Sequence, residues 1–533
     1  MYKKNEIVEL QITDLGSEGE GIGKIDGFPF FVKGALPGDT IRASVMKAKK
    51  NMAFARQQEI LTPSPNRIEA PCPVFGRCGG CQLMHLSYPA QLRYKEQKVK
   101  NALQRIGGVA EEELNAVMEP IIGMTPNPQS AVPLRYRNKT QVPFGKDRDG
   151  NTIYGFYAGR THAVISCMDC LLGAEENKDI LENVRQWMEE NHVQPYDETN
   201  GKGLLRHVLI RKGFHTGQIM TCLVINGKKL PKKEALCERL AQIPGMHSIS
   251  ISVNEENTNV IMGDNYETIW GEDRIYDEIC RLGAEEEDLP GGKSLKRLKV
   301  PNPRSGCDKE FEEFPMTGAG SPKLCLGAES ITYGISPLSF YQVNSVQTEK
   351  LYTTALEYAG LTGNETVWDL YCGIGTISLF LAKFAKQVYG VEIVPQAIAD
   401  AKENATRNGI TNARFFVGAA EEVLPVYYRG EMQSADPAVK TVQDTPGDAA
   451  DMSHPDVIVV DPPRKGCDIA CLETMVQMQP QRIVYVSCDP ATLARDVRYL
   501  REQGYELKRI RACDMFPNSF HVETVVRLQR TDT

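Results

Sequence analysis

From Thr366 to Ser487 short apolar runs alternate with helical stretches: Thr366–Asp369, a helix from Thr376, Gln387–Glu392, a helix after Pro395, Arg414–Val417, Val457–Val460 and Arg482–Ser487. No other feature of the sequence narrows the fold as much. Strands apolar along their whole length are buried on both faces, and parallel neighbours need a long crossover between them, which a helix supplies. The expectation is an α/β domain with a parallel, doubly wound sheet whose strand C-termini share one edge, where such sheets hold ligands. Arg429–Pro455 breaks the alternation with polar, low-complexity sequence and reads as a surface insertion.

The first turn of that pattern is Val367-Trp-Asp-Leu-Tyr-Cys-Gly-Ile-Gly-Thr376. Gly373 and Gly375 permit tight turning and close backbone approach to a ligand. Glu392 follows Gly373 by 19 positions and closes the next strand, where a carboxylate can accept from ribose hydroxyls. The third glycine of a dinucleotide fingerprint is missing, which favours S-adenosylmethionine over NAD because no pyrophosphate needs cradling. Asp461-Pro-Pro-Arg-Lys-Gly466 follows the next buried strand and puts a carboxylate on a rigid turn at the same edge. Alone, that motif also fits methylation of a base amino group.

Cys488 ends the strand Arg482–Ser487, with Asp489 placed to cap a helix starting near Pro490. A thiol near a helix N-terminus is expected to have a lowered pKa. Carbon 5 of uracil is too weak a nucleophile to take a sulfonium methyl group directly. Thiolate addition at carbon 6 makes an enolate that can, and a base must then remove the carbon 5 proton before the sulfur leaves. Glu523, in His521-Val-Glu-Thr-Val-Val526, is the candidate base, with an ordinary strand carboxylate as the competing reading.

Residues 1–62 read as a small OB-like β-barrel: Asp26-Gly27 marks a hairpin, Gly34–Asp39 a second turn, and Thr40–Val45 alternates. Thr62-Pro-Ser-Pro65 is a linker, and 68–282 mixes strands (Leu204–Arg211, Gln218–Ile225) with helices, including the basic stretch Ala90–Gly107. The segment 283–327, charged and rich in Gly and Pro, reads as a flexible insertion before a domain over 328–533. The net charge of −8 excludes a generally basic coat, but two runs are basic without an acid: Arg42, Lys47, Lys49, Lys50 and Arg56, then Lys293, Lys296, Arg297, Lys299 and Arg304. No apolar run reaches about 18 residues, so no membrane partner is expected. The N-terminus lacks a signal-like apolar core, which puts the chain in the cytoplasm. There the 15 cysteines will not form a disulfide framework, and most should be packing. Spacing singles out Cys72, Cys78 and Cys81 as C-x5-C-x2-C. Cys167 or Cys170 could complete a four-sulfur site, for zinc or for iron and sulfur alike.

Taken together, Phe340-Tyr-Gln-Val-Asn344, Asp369-Leu-Tyr-Cys-Gly-Ile-Gly375, Asp461-Pro-Pro-Arg-Lys-Gly466, Ser487-Cys-Asp-Pro490 and His521-Val-Glu-Thr524 resemble the RNA uracil-5-methyltransferase family, which makes 5-methyluridine in tRNA and 23S ribosomal RNA. The likeness runs over nearly the whole chain. It implies a Rossmann-like class I methyltransferase domain preceded by a TRAM barrel and a central α+β iron–sulfur domain. It also implies S-adenosylmethionine bound by Gln342, Tyr371, Glu392 and Asp461, with Cys488 as nucleophile and Glu523 as proton acceptor. The Cys-rich segment resembles the ribosomal-RNA branch, which carries a [4Fe–4S] cluster; the implied ligands are Cys72, Cys78, Cys81 and Cys170, with Cys167 in reserve. That branch makes 23S rRNA the expected partner of a monomeric enzyme. Arg135-Tyr-Arg-Asn-Lys139 and Leu205-Arg-His207 resemble segments of its central domain, where Tyr136 and His207 could stack on unpaired bases while the arginines hold phosphates, with surface or core packing as the competing reading for each. Three readings compete: an amino-group base methyltransferase, for which Cys488 has no work, a tRNA uridine-5-methyltransferase, and a non-catalytic RNA-binding scaffold, which would not bind S-adenosylmethionine.

Overall fold

A computed structural model of the chain describes residues 2–127, 130–159, 161–258, 260–281, 330–420, 422–423 and 454–531, with the backbone of 286–289 and 293–296. Five strands, β1 (Ile7–Leu15), β2 (Gly21–Ile25), β3 (Phe28–Lys33), β4 (Thr40–Ala48) and β5 (Ala53–Thr62), close into a barrel in the order β1-β2-β3-β5-β4. Alternation puts Leu10, Ile12, Phe30, Val32, Ile41, Ala43 and Val45 inside. The β2–β3 hairpin turns on Asp26 and Gly27, both at positive φ (49° and 81°), as a two-residue turn of the favoured hand requires. Burial alone would raise the Asp39 pKa, but Arg67 and the N–H groups of Leu36 and Ser64 hold the carboxylate in its charged form, below the usual value. That ion pair fixes the exit of the barrel.

The next stretch contains α1 (Tyr88–Arg105), α2 (Glu111–Val117), β6 (Met118–Ile122), β7 (Lys139–Lys146), β8 (Thr152–Tyr157), β9 (Val164–Ser166), α3 (Asn177–Glu190), β10 (Leu205–Lys212), β11 (Ile219–Ile225), α4 (Lys233–Leu240), β12 (Met246–Val253) and β13 (Tyr266–Gly271). Seven of these strands form a sheet ordered β13-β12-β11-β10-β7-β8-β9. Then β14 (Ile275–Cys280) pairs with β17 (Ser330–Ile335), and β15 (Glu286–Leu289) with β16 (Lys293–Lys296). Apart from that last hairpin, the expected insertion 283–327 lies outside the described residues, as does that at 429–455 up to His454.

The C-terminal part runs α5 (Ser345–Ala359), β18 (Thr366–Leu370), α6 (Thr376–Ala382), β19 (Gln387–Glu392), α7 (Pro395–Arg407), β20 (Ala413–Val417), β21 (Val457–Val460), α8 (Ile469–Gln477), β22 (Arg482–Ser487), α9 (Pro490–Glu502), β23 (Tyr505–Cys513) and β24 (Glu523–Arg530). The sheet order is β20-β19-β18-β21-β22-β24-β23-β6. Its first five strands are parallel, as the alternation predicts. One strand of the other three departs from the expected parallel sheet: β24 is antiparallel to β22 and to β23. No helix separates β23 from β24, so a crossover has nothing to carry it.

The last strand, β6, comes from the stretch ahead of the central sheet and pairs parallel with β23. Val99 and Leu103 of α1, Leu114 of α2 and Ile121 of β6 share a core with β21, β22 and β24. The central stretch 68–282 is therefore stitched into the C-terminal body rather than standing apart from it. One of the stitches is ionic. Lys95 on α1 and Asp514 after β23 form an ion pair with both side chains fully buried, and the Tyr88 hydroxyl donates to the second Asp514 oxygen at 2.9 Å. Among the described residues, no helix is long and apolar enough to cross a membrane.

Asp514→Ala leaves a buried ammonium without its partner and should cost about 3–5 kcal/mol by chemical denaturation, whereas Lys95→Met combined with Asp514→Leu should recover most of that loss.

Candidate active site

Strand register brings the sequence motifs to one edge. β18 pairs Leu370 with Val391 of β19 and with Val460 of β21, so the next positions, Tyr371, Glu392 and Asp461, sit side by side at the strand ends. β22 pairs Ser487 with Thr524 of β24 in antiparallel sense, and one step further sets Cys488 opposite Glu523.

The glycine turn makes room at this edge. Tyr371 and Gly373 both have positive φ (65° and 56°), and open space lies where a Gly373 side chain would stand. Gly375 does a different job: a Cβ there would come within 3.2 Å of Ala401 and the Phe415 ring, so its absence lets the turn pack down. Glu392 accepts from the N–H groups of Gly373 (3.2 Å) and Val394 (3.0 Å), and Ile393 beside it is 64% exposed. Asp369 is buried with one oxygen bonded by Ser378 Oγ and the other without a partner; burial raises its pKa to about 7. Gln342 lies on a loop pinned by Asn138, whose Nδ2 donates to the Gln342 carbonyl at 2.8 Å, while Asn344 caps α5 by accepting from the Gln347 N–H. A carboxylate at a strand end, an exposed apolar shelf and an open glycine turn suit a nucleoside. The unpaired acid behind them suits a cationic group.

The second cluster consists of Cys488, Glu523, Asp461 and Arg464. Burial pushes the Cys488 thiol up to about 12, the charges of Glu523 and Asp461 add to the rise, and Arg464 opposes it. This overturns the expected lowering. Asp489 does cap α9, but its carboxylate takes the N–H groups of Ala491 (2.8 Å) and Thr492 (3.1 Å), so the helix end is already satisfied by an anion. Glu523 is 3% exposed, and burial with Asp461 nearby raises it to about 8, Arg464 again opposing. Asp461 is raised to about 7 by burial. At neutral pH the resting edge therefore holds a protonated thiol and a largely protonated Glu523. Sequence reasoning missed Arg464; its motif was visible, but the direction in which the turn points the guanidinium was not.

The predicted sulfur ligands also gather. Cys78 bridges to Ala158, the Gly80 N–H donates to the Cys78 sulfur at 3.3 Å, and Cys72, Cys81 and Cys170 pack on one apolar cluster. Burial raises Cys78, Cys81 and Cys170, and each feels the charge of at least one other of the set. Cys170 is the strongest thiol neighbour of both Cys78 and Cys81; Cys167, raised to about 12 by burial, is close enough to feel Cys170, Cys72 and Cys78. Soft sulfur donors from two separate loops suit a thiophilic metal centre. Elsewhere His215 and Glu349 meet at 2.7 Å beside Cys280, but that cysteine is disulfide-bonded and offers no thiolate, an exception to the expectation of free thiols.

The expected base-stacking pair fails. Tyr136 is 3% exposed and spends its hydroxyl on the Pro517 carbonyl at 2.9 Å. His207 is 4% exposed and burial lowers it to about 4, so both are core residues. Arg135 is held by both oxygens of Asp169 at 2.7 Å. In the barrel run, Arg42 pairs with Glu9 and Glu59, while Lys47, Lys49, Lys50 and Arg56 are exposed. The side chains of the second basic run lie outside the described residues.

Comparison with known proteins adds to these observations. Residues 321–531 match the tRNA (Uracil-5-)-methyltransferase family, and residues 3–57 match the TRAM domain. An uncharacterized RNA methyltransferase of Halalkalibacterium halodurans is 44% identical over 99% of this chain and 97% of its own length. One from Clostridium tetani is 42% identical over 98% of this chain and 96% of its own length. The crystal structure of Pyrococcus abyssi tRNA (uracil-54, C5)-methyltransferase in complex with S-adenosyl-L-homocysteine superposes with a TM-score of 0.67 at 24% identity, covering 98% of this chain and all of the other, which shows a shared fold.

Because Glu523 adds to the rise of the Cys488 thiol, Glu523→Gln should lower that pKa. At pH 9, alkylation of Cys488 followed by mass spectrometry should then run a few-fold faster in the variant than in the wild type.

Proposed function

The chain belongs to the RNA uracil-5-methyltransferase family, a family that uses S-adenosylmethionine, and from that premise we propose that it methylates carbon 5 of a uridine in 23S ribosomal RNA through a covalent bond between Cys488 and carbon 6. The observation that carries this reading is the opposition of Cys488 and Glu523 across β22 and β24, beside Asp461 and the glycine turn. An amino-group methyltransferase has no use for a thiol facing a buried acid. The tRNA alternative is supported by the name of the matched family and by the tRNA (uracil-54, C5)-methyltransferase that superposes over 98% of this chain; the cysteine set, which resembles the ribosomal-RNA branch, favours rRNA.

Gln342, Tyr371, Glu392 and Asp461 would hold S-adenosylmethionine, with Glu392 facing the ribose and Ile393 alongside the base. S-adenosylmethionine would supply the methyl group and bring a sulfonium cation into a pocket whose acids repel one another. The target uridine leaves its stack to reach the edge. Cys488, once its proton has passed to solvent, adds to carbon 6, and the ring electrons move to carbon 5, which would take the methyl group as its bond to the donor sulfur breaks. Glu523 as carboxylate then removes the carbon 5 proton. The electrons of that C–H bond re-form the ring double bond, and the Cys488 sulfur leaves as thiolate. The barrel's exposed Lys47, Lys49, Lys50 and Arg56 would contact phosphate. Cys72, Cys78, Cys81 and Cys170 would hold a [4Fe–4S] cluster, which supplies a structural cross-link here, since methyl transfer moves no net electrons.

Cys488→Ala should abolish 5-methyluridine formation and any adduct with 5-fluorouracil RNA; retained turnover would sink the covalent reading. Mass-spectrometric mapping of rRNA and tRNA from a deletion strain decides the substrate, with loss of 5-methyluridine from 23S rRNA expected. A base raised to about 8 in the free enzyme acts only when deprotonated, so kcat/KM for S-adenosylmethionine should climb as pH rises through about 7–9, and Glu523→Gln should flatten that limb. Cys81→Ala should strip most iron and inorganic sulfide from anaerobically purified protein.

A further inference from the structure

The segment 514–522 joins β23 to β24 and delivers Glu523 to its place at the head of β24. Its midpoint, Asn518, is fully buried and left-handed (φ 68°). Every polar group of Asn518 is engaged. Its carbonyl accepts from the N–H groups of Gln82 and Leu83, each at 3.0 Å, the residues directly after Cys81. Its N–H donates to Gln91 Oε1 at 2.9 Å, its Nδ2 to the Pro133 carbonyl at 2.8 Å, and its Oδ1 accepts from Gln91 Nε2 at 3.3 Å. Gln91 Nε2 also reaches the carbonyls of Leu83 and Leu86, which fixes the turn after Cys81 from the other side.

The second sulfur-bearing loop ends in the same place. Arg135 and Arg137 donate their N–H groups to the carbonyls of Leu171 and Leu172, next after Cys170, each at 2.8 Å. Between them, Tyr136 donates its hydroxyl to the Pro517 carbonyl at 2.9 Å. The Cys81 loop is thus bonded directly to Asn518, and the Cys170 loop is bonded to the Arg135–Arg137 stretch, whose Tyr136 reaches the neighbouring Pro517.

We propose that Asn518, Gln91 and Tyr136 form a clasp through which the cysteine loops position Glu523, so that Asn518 is a positioning residue for removal of the carbon 5 proton. The proposal rests on the covalent reading above. It explains why a left-handed residue is buried there: Glu523 pairs with Cys513 of β23, but pairing with β22 begins only at Thr524, so the loop 514–522 that closes the Cys513–Glu523 pair sets how Glu523 meets the Cys488 side. A displacement of about 1 Å at a reacting group can cost on the order of a hundredfold in rate. The clasp lies on the base's side of the site. Loosening it should slow proton removal and thiolate expulsion, and leave thiol addition and methyl transfer less affected. The methylated adduct, with sulfur still on carbon 6 and the proton still on carbon 5, should then accumulate.

Asn518→Gly keeps the left-handed backbone and its hydrogen bonds and deletes the amide alone; Tyr136→Phe keeps the ring and deletes one donor. In iron-loaded protein, each should lower kcat about tenfold with KM for S-adenosylmethionine unchanged. Each should also raise the fraction of enzyme in an SDS-stable, methylated RNA adduct, as Glu523→Gln should. Hydrogen exchange at 514–523 should be faster after iron is chelated from the wild type. Wild-type kcat and no adduct in both variants would overturn the clasp, and unchanged exchange on iron removal would overturn its link to the cysteine loops. Turnover by Cys488→Ala would instead show that the covalent reading had failed, so the two failures are separable.

Discussion

Desolvation at the C-terminal edge of one sheet governs this molecule. Asp369, Asp461 and Glu523 are raised to about 7, 7 and 8, and Cys488 to about 12, with burial the largest cause in each case. The cation that faces both Cys488 and Glu523 is Arg464, on an exposed turn where solvent weakens its hold. Such an edge is poor at keeping its acids ionised when alone and well suited to a ligand that carries positive charge. A methyl donor that is itself a cation meets that condition, and a neutral nucleoside does not. The same burial keeps the thiol protonated at rest, which limits oxidation and stray alkylation while the site waits for RNA.

The edge is built by parts of the chain far apart in sequence. β6 and α1 precede the central sheet, yet they complete the sheet and core that carry Cys488. The fully buried Lys95–Asp514 pair stands at one end of the 514–522 segment, and Gln91, on the same helix as Lys95, holds its middle. Asn138, ahead of β7, bonds the loop that holds Gln342. A buried ion pair is a weak source of net stability, because desolvation cancels most of the attraction. Its geometric demand is strict, however, and here it fixes α1 against the segment that ends in Glu523. The stretch that bears the cysteines and the body that bears the chemistry are one interlocked unit, so a disturbance in one is felt in the other.

The strands β18, β19, β21 and β22 and the helices α6, α7 and α9 were legible because each is apolar or periodic by itself and bounded by Gly, Pro or a cap. The gathering of Tyr371, Glu392, Asp461 and Cys488 at those strand ends was legible for the same reason, since register follows once parallel neighbours are in place. What escaped was everything set by partners distant in the chain. Nothing local in Met118–Ile122 says that it will join β23. The antiparallel sense of β24 depends on the missing crossover helix, not on its own residues. Tyr136 and His207 looked like exposed aromatics among basic residues; period-two alternation says which side chains share a face, not whether that face is water or core. Arg135 looked like a phosphate ligand until Asp169, from a separate loop, took it.

The thiol shows how such a reading goes astray. A helix N-terminus next to a cysteine is a real stabilising effect on thiolate, but it is worth about 0.3–1 kcal/mol, less than a tenfold change in acidity. A rise from 9 to about 12 is a thousandfold in the opposite direction. The sequence displays the helix and its cap; it does not display that β24 runs back along β22 and sets Glu523 opposite the sulfur, or that the register of β18 and β21 brings Asp461 to the same edge. The smaller local effect is the visible one, and the larger one depends on the fold. The arrangement has a chemical use as well. Because acid and thiol share the same buried, mutually repelling surroundings, a cation entering beside them favours the charged form of both, so on the proposed covalent reading the methyl donor would itself promote the thiolate and the carboxylate that the reaction uses.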